Sequence, residues 1–143
     1  MKTIALVLSA VALLVGSAVF APDATAQTPG YVTIQGLTLG EGGSVIASGT
    51  VQCGVDGTFT VSVMVIQRYF DQMPNEAQGQ TTVSCTATRG LEFFEITMFG
   101  ARPFERGLPL PAHVFWFSSG CYVPEPERVI CPTGSGVTLE FIE

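Results

Sequence analysis

Four cysteines, one histidine and two pairs of acids are the side chains in this chain whose types and spacing could do chemistry. Thiols at Cys53, Cys85, Cys121 and Cys131 could form disulfides, bind zinc or supply a nucleophile. Zinc sites built on cysteine favour close C-x-x-C pairs completed by histidine. No C-x-x-C pair occurs here, and His113 is the only histidine. An even number of thiols without metal-site spacing reads as two disulfides, with three connectivities open.

His113 sits in an alternating run beside Val114 and Phe115, where a half-buried structural role is the ordinary one. A hydrolase needs a nucleophile on a sharp turn with a base beside it. No G-x-S-x-G occurs, and Gly134-Ser135-Gly136 is too short and follows no nucleophile strand. Glu92 with Glu95 and Glu125 with Glu127 are the carboxylate pairs that acid–base hydrolysis of a sugar would require. The second pair lies in a proline-rich stretch, where it reads as solubilising charge. The D-x-[DN]-x-[DN]-G calcium loop is missing, as is a glycine loop opening a helix for phosphate. The reading is of a chain that is not an enzyme, with no metal and no cofactor.

These groups must be positioned by strands. Residues 1–26 read as a signal peptide: Met1-Lys2, an apolar run from Ile4 to Ala21, and Ala24-Thr25-Ala26 before Gln27. The expected product is a secreted single domain over 27–143, a compartment that permits disulfides. Removing 1–26 takes away Lys2 and Asp23, one charge of each sign, so the net charge of −6 is unchanged. The remaining cations are Arg68, Arg89, Arg102, Arg106 and Arg128. An acidic domain with scattered arginines repels nucleic acid and anionic lipid, so neither nucleic acid nor, after signal removal, membrane is an expected partner.

Period-two alternation marks seven strands. Val32 and Ile34 open a first strand in Tyr31–Gln35, which Leu37 and Leu39 continue past a kink at Gly36. Ser44–Cys53 and Thr58–Gln67 read as a hairpin joined through Gly54-Val55-Asp56-Gly57, with Asp56-Gly57 supplying the positive φ of a tight turn. Thr81–Thr88 follows, with Val83, Cys85 and Ala87 on one face. Glu92–Met98 places Phe94, Ile96 and Met98 inward and Phe93 outward under a partly covered face. Ala112–Phe117 alternates Val114 and Trp116 against His113, Phe115 and Phe117, and Trp116 is expected in the core. In the last strand, Val137–Ile142, Val137, Leu139 and Phe141 alternate against Thr138 and Glu140. Arg68–Gln80 reads as a long loop, Pro132–Gly136 as a turn, and 99–111 as a breaker-rich connection.

Seven short strands without a helix predict an all-β, immunoglobulin-like β-sandwich; a small β-barrel is the alternative. Cys53 and Cys85 both point inward and suit a bridge across that core. Cys121 and Cys131 suit a local bridge. The larger loop is worth roughly 3–4 kcal/mol in the chain-entropy model. The functional expectation is a secreted non-catalytic binding or structural module taking a protein or a small apolar ligand. Tyr69 and Phe70 in the long loop, and Phe115 and Phe117 on the outward face, are the candidate ligand-binding residues. The alternative is a small protease inhibitor presenting the Cys121–Cys131 loop, with Arg128 or Tyr122 offered to the specificity pocket.

Four short motifs carry a family resemblance: Gly49-Thr50-Val51-Gln52-Cys53, the V-x-V-x-V-x-Q run from Val61 to Gln67, Val83-Ser84-Cys85-Thr86, and P-F-x-x-G from Pro103 to Gly107. From Gly49 to about Gly107 the chain resembles a group of small exported actinobacterial proteins with no assigned activity, which also carry a second cysteine pair in a similar place. In architecture and in its final alternating strand it is loosely similar to the neocarzinostatin-type chromoproteins. Those are acidic, exported, two-disulfide sandwiches that hold an apolar ligand in a cleft. The resemblance implies a sandwich; no ligand-contacting motif of those chromoproteins is matched.

Overall fold

The computed structural model describes residues 28–70, 72–106 and 110–143. The expected signal peptide lies outside the described residues. Eight strands follow in order: β1 (Val32–Leu39), β2 (Val45–Gln52), β3 (Gly57–Gln67), β4 (Asn75–Cys85), β5 (Leu91–Met98), β6 (Ala112–Glu125), β7 (Arg128–Ile130) and β8 (Thr133–Glu140). They form two antiparallel sheets. The smaller has the order β1-β2-β5; in the larger, β3 lies between β4 and β6, and β7 and β8 pair with β6. This is the expected all-β sandwich, with two disulfides.

Alternation decides which face each strand buries. On β2, Val45, Ala47 and Val51 point into the space between the sheets; on β3, Phe59, Val61, Val63 and Val65 meet them from the other side. Burial of each valine or phenylalanine here is worth roughly 1.5–3 kcal/mol. Trp116 lies in the same layer with Tyr31 edge-on to it, ring centroids 5.3 Å apart at 81°. Opposite Trp116, β8 carries Gly136, where a Cβ would stand 2.6 Å from the indole Nε1. The glycine is what lets the indole lie against the strand.

The stretch Ser44–Gln67 is not a hairpin. β2 pairs with β1 and β5, whereas β3 pairs with β4 and β6, so the connection crosses from one sheet to the other. The positive φ belongs to Gly54 (φ 93), not to Asp56-Gly57. The crossing is tied down by backbone bonds from Cys53 and Gly54 to Gly90 and Arg89, by Asp56 accepting from the Ala87 amide at 2.8 Å, and by the Cys53–Cys85 bridge. Two buried faces that meet across a core leave the same period-two pattern as two strands side by side.

Other boundaries move for local reasons. β4 starts at Asn75, six residues before the expected Thr81, because its inward residues there are Asn75, Ala77 and Gly79 rather than large apolar ones. It ends at Cys85, before Thr88. β1 carries its irregularity between Ile34 and Gly36. β6 does not stop at Phe117; it continues to Glu125 and turns back at Pro126-Glu127, where Glu127 has φ 76. Ser119 faces Thr133 and Tyr122 faces Ile130, so β7 and β8 share one register on β6 across Pro132. Pro132–Gly136 is therefore strand rather than turn from Thr133 onward. The stapled Cys121–Cys131 segment is a two-stranded ribbon whose tip is solvent-exposed.

The last residues stitch the two sheets together along one side. Ile142 is buried and bridges Leu37 in parallel; Leu39 donates to the Glu143 carbonyl at 2.9 Å, and Glu143 to that of Leu37 at 3.1 Å.

Candidate binding face

The outward positions of the larger sheet can be read row by row from its register. Glu76, Ile66, His113 and Leu139 form one row; Gln78, Met64, Phe115 and Val137 the next; Gln80, Ser62, Phe117 and Ser135 a third; Thr82, Thr60, Ser119 and Thr133 a fourth. In these rows Glu76 is the only formal charge with histidine neutral. The face changes from apolar at the Leu139 end to hydroxyl-rich at the Thr133 end.

Phe115 and Phe117 are neighbours on this face, 38 % and 47 % exposed. The His113 ring lies nearly parallel to that of Phe115, centroids 6.4 Å apart at 16°. Ser62 is short where its neighbours are long. The result is a trough of about 510 Å³ above Ser62 of β3, with Phe115 and Phe117 of β6 on one side, Gln78 and Gln80 of β4 on the other, and Met64 of β3 between them at one end. Aromatic rings offer flat apolar contact, and each carboxamide offers both a donor and an acceptor. The trough can hold an uncharged apolar group and fix its orientation by hydrogen bonds. Among the described residues, none that lines it is titratable.

Tyr69 and Phe70 lie elsewhere, in the connection from β3 to β4. Tyr69 is part of a clamp. Its hydroxyl donates to Gln67 Oε1 at 2.8 Å, and the Arg102 guanidinium lies over its ring at 4.7 Å. Burial pushes the Tyr69 phenol above its ordinary value of 10.0, the Glu105 carboxylate adds to that, and Arg102 opposes it. Gln67 and Asn75 are the last facing pair of β3 and β4, and both are buried. Gln67 donates to the Glu105 carbonyl at 2.7 Å and accepts from the Glu105 amide at 3.2 Å. Asn75 does the same to Arg102, at 2.8 and 3.2 Å. Two side-chain amides thus act as a substitute strand edge for the breaker-rich segment, and seat Phe104 in the core. Arg102 also bonds Gln72 and the Met73 carbonyl. Tyr69 is committed to this clamp; Phe70, 75 % exposed, stands beyond it.

The four candidate aromatics therefore divide: Phe115 and Phe117 share one trough, while Tyr69 and Phe70 do not join it. Phe93 is on the outer face of the smaller sheet, 74 % exposed and uncovered, contrary to the expected partial cover. Sequence reasoning missed Met64, Gln78 and Gln80. The signal for them was alternation through Glu76, Gln78 and Gln80, hidden because their inward partners are small.

Cys53 and Cys85 are buried at the end of the core, and Cys121 and Cys131 are exposed on the ribbon; all four are oxidised. Among the described residues no group of three or more His, Cys, Asp or Glu side chains is placed to hold a metal, and no helix is long and apolar enough to cross a membrane. Comparison with protein-family models, with curated proteins and with solved structures gave no match.

Proposed function

We propose that this chain is an exported, non-catalytic binding module that receives an apolar group on the outer face of its larger sheet. One observation carries the reading: Phe115 and Phe117 stand side by side, half exposed, over a trough that has hydrogen-bonding amides on its opposite wall. Export is supported by the apolar run and small-x-small triplet of the first 26 residues, and by two disulfides. The motif resemblance to small exported actinobacterial proteins belongs to the same proposal.

The test uses 1-anilinonaphthalene-8-sulfonate, a fluorescent probe with an apolar aromatic body and one sulfonate. The oxidised protein should enhance its fluorescence saturably. Phe115→Ser with Phe117→Ser should weaken that binding at least tenfold, and Phe93→Ser should leave it within twofold. Equal loss in all variants, or no binding by the parent protein, removes the support for this face. Mass spectrometry of exported material should place the first residue at Gln27.

A second reading, protease inhibition, is favoured by one feature. Arg128 stands exposed just past the tip of a disulfide-stapled ribbon, facing Glu125. A rigid ribbon loses little conformational freedom on entering a protease cleft. Trypsin inhibition that Arg128→Ala abolishes would establish it. Rapid cleavage after Arg128 without inhibition would dismiss it.

A further inference from the structure

A sheet edge exposes a row of unpaired amide and carbonyl groups, and proteins normally defend such rows with charge, proline or cover. Among the described residues, three of the four sheet edges are defended. The β5 and β4 edges lie close against each other along one side of the sandwich, and carry Glu92 and Glu95 on one strand and Glu76 on the other. The β1 edge takes backbone bonds from Glu143 and the Ile142 bridge. The edge of β8 is different. β8 pairs with β6 on one side and, among the described residues, with no strand on the other. From Thr133 to Leu139 it carries neither a charge nor a proline. Its outward Val137 and Leu139 are 59 % and 55 % exposed, and even its inward residues remain partly open to solvent. An edge of seven residues runs roughly 24 Å.

We infer that β8 is a pairing site for an extended strand and that its partner is β8 of a second copy of this chain, antiparallel about a two-fold axis at Gly136. The sequence is self-complementary in that arrangement. Ser135 faces Val137 of the second copy, Thr133 faces Leu139, and Glu140 faces Pro132 rather than another glutamate. The formal charge of −6 would oppose most contacts between copies, but this edge keeps like charges from meeting. Pairing joins the two larger sheets into one, and the outward row of Phe115 and Val137 runs on into Ser135 and Phe117 of the second copy. Isologous pairing also closes on itself, so it stops at two chains. The inference does not rest on the ligand reading, since it uses the edge of the sheet rather than the trough.

Sedimentation velocity of the oxidised protein over a hundredfold concentration range tests it. The expected result is a reversible monomer–dimer equilibrium. Val137→Lys should weaken it at least tenfold, and so should Ser135→Lys. Phe115→Ser with Phe117→Ser should change it less than threefold. Hydrogen exchange should show alternate amides between Thr133 and Leu139 gaining protection as concentration rises. A monomer throughout, a dimer without that protection, or a dimer that survives both lysine variants and is lost in the phenylalanine variant would each overturn the inference.

Discussion

Removing the Asn75 carboxamide should release the segment that closes one end of the sandwich. Asn75 is 1 % exposed, and its side chain makes both a donated and an accepted hydrogen bond with the Arg102 backbone, at 2.8 and 3.2 Å. Each bond contributes about 0.5–1.5 kcal/mol net, and a buried partner left without one costs about 1–3 kcal/mol. Water can reach Arg102 after truncation, because that residue is half-buried, so the upper limit is not reached. Asn75→Ala should therefore cost about 2–4 kcal/mol, a large fraction of the ~5–15 kcal/mol that holds an ordinary domain. For a domain of this size that lowers Tm by roughly 8–16 °C. Thermal and urea unfolding followed by circular dichroism would measure it. Limited trypsin digestion should at the same time become faster after Arg106, the cleavable cation of the released segment, since Arg102 is shielded from trypsin by Pro103. A Tm within 2 °C of the parent protein, with unchanged cleavage, would refute the idea that side-chain amides substitute for a strand here.

Three further outcomes follow from the same structure. Gly136→Ala places a Cβ where only 2.6 Å separates it from Trp116 Nε1; overpacking of this kind costs about 1–3 kcal/mol, and tryptophan emission should shift with the loss of stability. Under graded dithiothreitol the exposed Cys121–Cys131 bridge should reduce before the buried Cys53–Cys85 bridge, read by thiol alkylation and peptide mapping; the reverse order would contradict the burial described. The raised Tyr69 phenol favours the neutral form in the folded state. Its contribution is complete below pH 10, the ordinary value, and is lost as pH rises through the higher folded value. Tyr69→Phe should flatten that alkaline decline, seen as unfolding midpoints across pH 9–12.

Much of the sandwich was legible because its strands alternate cleanly. Phe59, Val61, Val63 and Val65 declared their inward face, and so did Phe94, Ile96 and Met98. Both disulfide pairings followed from which cysteines share an inward face and which lie close in sequence. What alternation does not encode is the neighbour. Val45–Val51 and Phe59–Val65 face one another across the core, yet their pattern is that of a hairpin, and only the sheet assignment separates the two. β4 was half hidden because Gly79 must be small beneath Ile96 and Met98, where a Cβ would come within 2.5 Å of Ile96 Cγ2. β8 kept its alternation but turned its apolar side outward, since Trp116 fills the inner side and leaves room there for Gly134 and Gly136. The trough was partly legible: Phe115 and Phe117 were marked as outward, but Gln78 and Gln80 depend on β4, and Ser62 matters only through what surrounds it. The Gln67 and Asn75 clamp left no pattern in sequence, because its partners are backbone groups some 27 to 38 residues away.

The central claim is that the outer face of the larger sheet is where this protein binds. Two-dimensional 1H–15N spectra of the labelled, oxidised protein titrated with 1-anilinonaphthalene-8-sulfonate test it most directly. Saturable shifts are expected, confined to the amides of Ser62, Met64, Gln78, Gln80, Phe115 and Phe117 and their immediate neighbours. Shifts centred instead on Phe70 and Met73, or on Phe93 across the sandwich, would contradict it.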